Sequence, residues 1–576
     1  MKDKIVSVPF IGSVKKYRKL LLSVLWVIFC LSFFIYLIKT GRIGYETNDD
    51  EFLAMISSGV FGRIYAHTAY NNIIWGAIVA VLSSLFPLHN WTILMYIACI
   101  LAAYIMLGII CIVITKKNMT GSVVLPLLFV MATFRTLIIK MNYSKSGAVL
   151  LGTGIIVLIA TLDTEDYKNT EFKIIRVLSY IMISVGSLVR TGTLMAVVPF
   201  FAILVLYILV KYRKDIKGRL FIFIGVSASV LLLWLVGFIV YHADKGWSDY
   251  WKYRDVIVEL YDYYGIPDYE SHAGEYEELG INENDVALLV SWQHGDMDYF
   301  DTEKLSRLSD ISKAERHVNV DGEYIEDVIQ SIFNLAGEYT IVYVLLMLAV
   351  FVTFVGDPRI FATALGAVGV CFGEIGYLIY KGRFPERSFM LVIIVALCTV
   401  IYLCVKGYAD TELKFTGTVS LVLIMLFGYF TLGFSDIKEI EPFTIKNRDN
   451  VTLLESELMS HPDNLYVWDV LSFSDAVEGY ASPFEHYSKN WMGNSIVTGG
   501  WLMGSPILDD VAKPFGGADN PYRLLAENPN TYMVIEKDNP IVDKSSVEQY
   551  IKDHYDPNAT CKTVEVIGGF EILQFK

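Results

Sequence analysis

The chain has 576 residues, 54% of them hydrophobic and only 19% charged, with a mean hydropathy of +0.46, against about 25% charged residues in an ordinary soluble protein. That apolar surplus points to a bilayer and excludes a soluble enzyme, a nucleic-acid binder and a secreted disulfide scaffold. The net charge of −14 is uneven: residues 242–338 hold 23 Asp/Glu against 7 Lys/Arg, residues 437–576 hold 22 against 11, and the rest holds 16 against 29. Two acidic pieces are attached to a basic membrane body.

In chain order, Lys2, Lys4, Lys15, Lys16, Arg18 and Lys19 precede Leu20–Ile38, an uncharged run close to the ~20 residues that cross a hydrocarbon core. No small-residue cleavage site follows, so the run reads as an uncleaved first span. Next comes Tyr45-Glu46-Thr47-Asn48-Asp49-Asp50-Glu51-Phe52. Three consecutive carboxylates just outside a span suit general-base chemistry or oxygen ligation of a divalent cation; the bland alternative is a solvated loop end. Phe52–Gly59 forms a short amphipathic helix leading to Tyr70–Leu88. Asn71, Asn72, His89 and Asn90 bracket that run, as expected of a helix lying along or dipping into the membrane face.

Further spans are expected at Trp91–Thr115, Val123–Ile139, Gly147–Leu162, Ile174–Val189, Gly192–Val210, Leu220–Tyr241, Ile341–Val355, Ile360–Tyr380, Phe389–Val405 and Phe415–Phe434. With Tyr70–Leu88 left out, the eleven spans put the basic N-terminus, Lys116–Lys117, Lys168/Lys173, the Lys211–Arg219 cluster, Lys406 and Lys414 inside. Both acidic pieces and the C-terminus then lie outside. Arg63, Arg135, Lys140, Lys145, Arg190, Lys381, Arg383 and Arg387 are left as cations on the outer side. Arg135 falls within a span, where a charge costs roughly 2.5–3.5 kcal/mol and marks a functional site by default, unless it snorkels to the headgroups.

Within the outer pieces, helices are expected near Asp301–Leu308, Glu323–Leu335, Asn450–Ser460 and Ser545–His554, the last capped by Asp543. Strands are expected at Leu465–Asp469 and Thr531–Glu536, with a closing hairpin of Thr563–Ile567 and Phe570–Phe575 around Gly568–Gly569. Tyr261, Tyr263 and Trp292 read equally as a binding surface or as core. Of seven cysteines only Cys561 lies in an acidic piece, so neither piece holds an internal disulfide. Nine histidines show no zinc spacing, and phosphate-loop, dinucleotide and serine-hydrolase motifs are absent.

A second constellation is Lys381-Gly382-Arg383-Phe384-Pro385-Glu386-Arg387, directly ahead of the span Phe389–Val405. Pro385 suits the start of a helix, which puts Arg387 beside free backbone N–H groups, a ready anion site. Arg adds bidentate phosphate recognition; the alternative is headgroup anchoring. Glu374, an acid inside the preceding span, orients one of these cations or faces a wet crevice. Arg135, Lys140 and Lys145 bracket another outer turn, and Arg190-Thr191-Gly192-Thr193 forms a third.

The basic start, single span, acidic first loop, surface helix ending in Ser84-Leu85-Phe86-Pro87 and many later spans resemble the GT-C superfamily of membrane glycosyltransferases that use polyprenyl-phosphate-linked sugars. The resemblance implies a catalytic carboxylate at Asp49 or Asp50, and a soluble domain after the last span.

The expectation is therefore an α-helical polytopic membrane protein of about eleven spans with a C-terminal extracytoplasmic α/β domain. Its divisions are 1–241, with a catalytic loop at 41–90, then 242–338, 339–435 and 436–576. The expected reaction is inverting transfer of a sugar from a lipid-linked donor to a glycan, lipid or protein acceptor outside the cell membrane. Asp49 or Asp50 serves as general base. Arg383, Arg387, Lys381 and Arg135 hold the donor phosphate, with Glu51, Lys140, Arg190 and Glu374 in support. A divalent cation on Asp49, Asp50 and Glu51 is compatible but not required. The rival readings are a polysaccharide polymerase or ligase that relies on the arginines alone, a flippase, for which matched internal repeats are missing, and outer binding modules on a membrane anchor, which would need only one span.

Overall fold

The computed structural model describes residues 10–316, 320–353, 355–408, 448–478, 482–517, 520–537, 541 and 544–576. The expected span Phe415–Phe434, together with Lys414 and Asp543, lies outside these residues. The membrane part comprises α1 (Phe10–Lys39), β1 (Gly44–Tyr45), α2 (Asn48–Ser58), α3 (Ile73–Leu85), α4 (Trp91–Ile114), α5 (Gly121–Phe134), β2 (Lys140–Met141), α6 (Tyr143–Leu162), α7 (Thr170–Val189), α8 (Thr193–Lys211) and α9 (Ile216–Ala243). The acidic segment follows as α10 (Lys245–Val258), α11 (Ala273–Leu279), α12 (Glu283–Val290), α13 (Thr302–Glu315) and α14 (Gly322–Glu338). The chain then returns to the bundle with α15 (Thr340–Val352), α16 (Pro358–Lys381) and α17 (Glu386–Tyr408).

Among the described residues nine helices are long and apolar enough to cross a membrane, or ten if α14 and α15 count as one bent span. The expected span Ile341–Val355 corresponds to α15. α15 has only 13 residues, about 20 Å at the helical rise, and extended backbone at Tyr339 turns it 109° away from α14. Within Tyr70–Leu88 the structure has α3, whose 13 residues are also too few to span.

α6 is buried along all 20 residues and stands at the centre of the bundle. Small residues allow this: a Cβ on Gly186 of α7 would lie 2.6 Å from the Leu151 backbone nitrogen of α6, so glycine lets the two helices touch through their backbones. At one end of α6 the buried Asp163 carboxylate is gripped by Lys211 at 2.7 Å and Lys406 at 3.2 Å. It also accepts from the hydroxyls of Tyr207, Tyr212 and Tyr402 at 3.0–3.1 Å. This knot ties α6, α8 and α17 at the end opposite the acidic first loop.

The C-terminal part comprises α18 (Arg448–Ser460), β3 (Leu465–Trp468), α19 (Val470–Val477), β4 (Ser495–Val497), α20 (Pro506–Ala512), α21 (Pro521–Glu527), β5 (Thr531–Glu536), α22 (Lys544–His554), β6 (Cys561–Ile567) and β7 (Phe570–Phe575). Its five-stranded sheet has the order β4-β3-β5-β7-β6, with β3, β4 and β5 parallel and the β6–β7 hairpin antiparallel. The expected helices and strands are present; β4, α19, α20 and α21 were not anticipated, because three-residue strands and seven- or eight-residue helices carry little periodicity. Tyr261 stacks on Trp292 at 4.1 Å and donates to the Leu289 carbonyl, so this pair is packing.

Two hydrophobic cores result, one among the spans and one joining α2, the acidic segment and the C-terminal sheet; Tyr45 and Trp501 pack against both. Removing a buried ion-pair partner costs about 3–5 kcal/mol, so Asp163→Ala should lower the melting temperature of the purified protein markedly. An unchanged melting curve would mean the knot does not hold the bundle.

Candidate functional site

The first loop is fastened to the start of α6 by backbone pairing. Gly44 and Tyr45 run parallel to Lys140 and Met141, and the Glu46 N–H donates to the Met141 carbonyl at 2.8 Å. This stops the chain at a fixed height, and α2 begins at Asn48, earlier than the expected Phe52. Its first turn carries Asp49, Asp50 and Glu51, all buried, where carboxylates gain from the helix dipole.

The two aspartates then part company. Asp50 is fully buried; one of its oxygens accepts from the Tyr143 N–H at 3.0 Å and the other from the Asn142 side-chain amide at 3.0 Å. Burial raises its pKa well above the carboxylate range, with the Tyr143 N–H acting against this and the Asp49 charge adding to it. Asp49 instead faces Arg387 at 3.3 Å. Its pKa is also raised by burial, opposed by Arg387 first and then by Arg190, while Asp262 pushes it up and Arg254 down. Glu46 pairs with the fully buried Lys145 at 3.2 Å, and burial outweighs that pairing to raise the Glu46 pKa.

Beside Asp49 lies an aromatic and guanidinium stack. Tyr70 stacks on Tyr143 at 5.3 Å. Arg190 sits over both rings, 5.1 Å from Tyr70 and 4.9 Å from Tyr143. Arg254 of α10 sits 4.9 Å over Tyr70 and 4.8 Å over Trp251. Trp501 of the C-terminal part closes the stack at 4.9 Å from Tyr70 and 5.9 Å from Phe52. Asn48 also donates to Ser474, and the Gly59 and Val60 carbonyls accept from Asn490 and Met492, so the C-terminal part braces the helix that carries Asp49.

Tyr70, Arg190, Trp234, Trp251 and Arg254 line a cleft of about 270 Å³. It shares Thr191 and Trp234 with an apolar groove of about 360 Å³ between α7, α8 and α9. A smaller cleft of about 190 Å³ is lined by Arg135, Lys140, Glu338, Tyr339 and Glu386. There Glu386 accepts from Tyr339 at 3.3 Å and pairs with Lys140 at 3.5 Å.

The residues of the expected phosphate set each meet a different partner. Arg387 meets Asp49, Arg383 pairs with Asp262 at 2.5 Å, Lys381 lies 6.0 Å over the Tyr377 ring, and Arg135 lines the smaller cleft. Pro385 immediately precedes α17 and its carbonyl accepts from Ser388, so Arg387 does occupy the first turn. Glu374 is half-buried on α16 and pairs with none of these cations. Arg63 is absorbed by domain docking through Asp510. Among the described residues no group of three or more His, Cys, Asp or Glu is arranged to hold a metal ion; both Asp50 oxygens already take N–H donors.

Arg254, Tyr70, Tyr143 and Trp501 were missed. Arg254 had a signal, being one of few bases in an acidic segment and set among Tyr250, Trp251 and Tyr253. Trp501 had none, since only the docking of the C-terminal part brings it to the first loop.

No family model matches the chain, and no curated protein matches it at a significant level. Two solved structures are similar over 95% of this chain and 97% of theirs. ArnT from Cupriavidus metallidurans bound to undecaprenyl phosphate has a TM-score of 0.43 at 13% sequence identity. The same protein in the apo state has a TM-score of 0.39 at 12% identity.

Leaving buried N–H donors without an acceptor costs about 1–3 kcal/mol. Asp50→Ala should therefore lower thermal stability by about that amount, and Asp49→Ala by less, because its partner Arg387 keeps a quarter of its side chain in contact with solvent and is not stranded when Asp49 is removed. Equal losses in the two variants would contradict this division of roles.

Proposed function

We propose that the protein is a membrane glycosyltransferase that takes a sugar from a polyprenyl-phosphate donor and passes it, with inversion, to an acceptor on the outer side of the membrane. The observation that carries this reading is Asp49, a mostly buried carboxylate within electrostatic reach of Arg387, Arg190 and Arg254, beside an arginine cleft that opens into an apolar groove. A lipid-linked sugar phosphate has the matching shape and charge: an apolar tail, an anionic joint and a polar head.

On this reading the tail lies in the groove between α7, α8 and α9. The phosphate meets Arg190 and Arg254, with Arg387 near the reacting carbon, which revises the expected donor set. Asp49 removes the proton from the acceptor hydroxyl as that oxygen attacks the anomeric carbon, and the lipid phosphate leaves with the bonding pair. Charge grows on the leaving phosphate in the transition state, so cations fixed there stabilise it more than the ground state. Tyr70 and Trp501 keep the arginines and α2 in register, and Asp50 holds the turn that aims Asp49.

The orientation supports an outer site. Lys211, Lys406 and Arg219 gather at the Asp163 end, whereas Asp49 lies at the other, so the positive-inside rule puts the site outside.

A transfer assay in membranes with a polyprenyl-phosphate sugar tests this. Asp49→Asn should abolish transfer, and Arg254→Ala should lower it roughly 10²–10³-fold, as for loss of one fixed transition-state donor. Normal transfer by Asp49→Asn with loss in Arg254→Ala would favour the polymerase or ligase reading. Because the Asp49 pKa is raised, the base is ionised only at higher pH. Activity should thus fall as pH drops through a value above the usual carboxylate pKa of about 4, and an acid limb at or below that value would count against Asp49 as the base.

A further inference from the structure

The segment 242–338 is acidic as a whole, yet its last helix is built for an apolar surface. Successive residues of α14 step by 100°, so its side chains divide into three arcs. Tyr324, Val328, Ile332 and Leu335 face the bundle, and the Tyr324 hydroxyl donates to the Gly376 carbonyl of α16 at 2.6 Å. Glu323, Glu326, Asp327, Gln330 and Asn334 form the opposite arc. Between them Ile325, Ile329 and Phe333, spaced four apart, make one stripe with exposures of 55%, 49% and 68%.

The position of the helix says what covers that stripe. α14 turns 109° from α15, so it runs across the bundle rather than along it. It crosses α16 at Gly376, five residues before the Lys381 end and so about 7–8 Å short of it. On α16 the neighbouring Tyr377 and Tyr380 are also exposed, and tyrosine favours the boundary between acyl chains and headgroups. The stripe is therefore continuous with the lipid-facing surface of a span, at the depth where an in-plane helix rests.

We propose that α14 is an in-plane membrane helix whose Ile325–Ile329–Phe333 stripe sits in the acyl–headgroup boundary of the leaflet at the Asp49 end. Its polar arc is acidic, unlike the basic arcs that draw peripheral helices to anionic lipid. Attachment therefore rests on apolar burial and on the covalent link to α15, and is insensitive to anionic lipid. The helix ends at Glu338 and Tyr339, which line the cleft containing Glu386, so the bilayer sets the height of that rim beside Arg387 and Asp49.

The test uses the full chain in phosphatidylcholine nanodiscs, with Cys561→Ser as background and single nitroxide labels at positions 325, 329 and 333, or at 327, 330 and 334. The first set should show an oxygen to nickel-chelate accessibility ratio several-fold above the second, with or without added phosphatidylglycerol. Equal access of the nickel chelate to both sets would put the helix in water and overturn the proposal. Labels at 325, 329 and 333 that neither reagent reaches would also overturn it, because the stripe would then be covered by protein. As a check free of substitutions, a diazirine-tailed lipid should tag the peptide holding Ile325–Phe333 in the unaltered protein; tagging of α16 without tagging of this peptide would refute the placement.

Discussion

Asp50 and the first turn of α6 hold each other through two hydrogen bonds, and the short parallel pairing of Gly44–Tyr45 with Lys140–Met141 sets the height at which they meet. The rest of the site follows from this contact. With α2 held there, Asp49 falls opposite Arg387, Phe52 presents itself to Trp501, and Tyr143 becomes the ring on which Tyr70 and Arg190 stack. A buried carboxyl group with both oxygens satisfied by N–H donors is a strong local constraint, because any shift of the turn would strand polar atoms away from water.

The same reasoning accounts for the distribution of charge through the molecule. Bringing carboxylates and guanidinium groups out of water carries a desolvation cost that only close pairing offsets. Three buried carboxylates have such partners: Glu46 with Lys145, Asp49 with Arg387, Asp163 with two lysines and three tyrosines. The two ends of the bundle solve this differently. At the Asp163 end the carboxylate is saturated, and the result is a structural tie. At the Asp49 end the guanidinium groups of Arg190 and Arg254 lie over ring faces and line a cleft.

Much of the architecture could be read from the residues in order. Long uncharged runs gave the spans, since crossing a hydrocarbon core needs a length that composition alone reveals. The hairpin around Gly568–Gly569 and the strand Thr531–Glu536 were legible because alternation and turn residues are local signals. The Asp49–Asp50 pair and Arg387 were legible because charges beside spans are out of place. Arg190 was visible for the same reason, but its pairing with Arg254 across the sequence was not. Nor was the 109° angle between α14 and α15, because the residues mark the change from an acidic to an apolar stretch near Tyr339 but not the direction the chain takes there.

Composition and order alone established a polytopic membrane chain with two acidic pieces, and singled out the run Tyr70–Leu88 and a short set of charges beside spans. They left Asp49 and Asp50 equivalent, since adjacent residues of one type carry the same local signal. Tertiary packing separated them: one points to the start of α6 and is consumed by it, while the other, 100° around the helix, faces Arg387. Packing likewise drew Arg254 and Trp501 to the first loop from positions about 200 and 450 residues away, a convergence that no local pattern encodes because contact between distant segments depends on how the whole bundle closes.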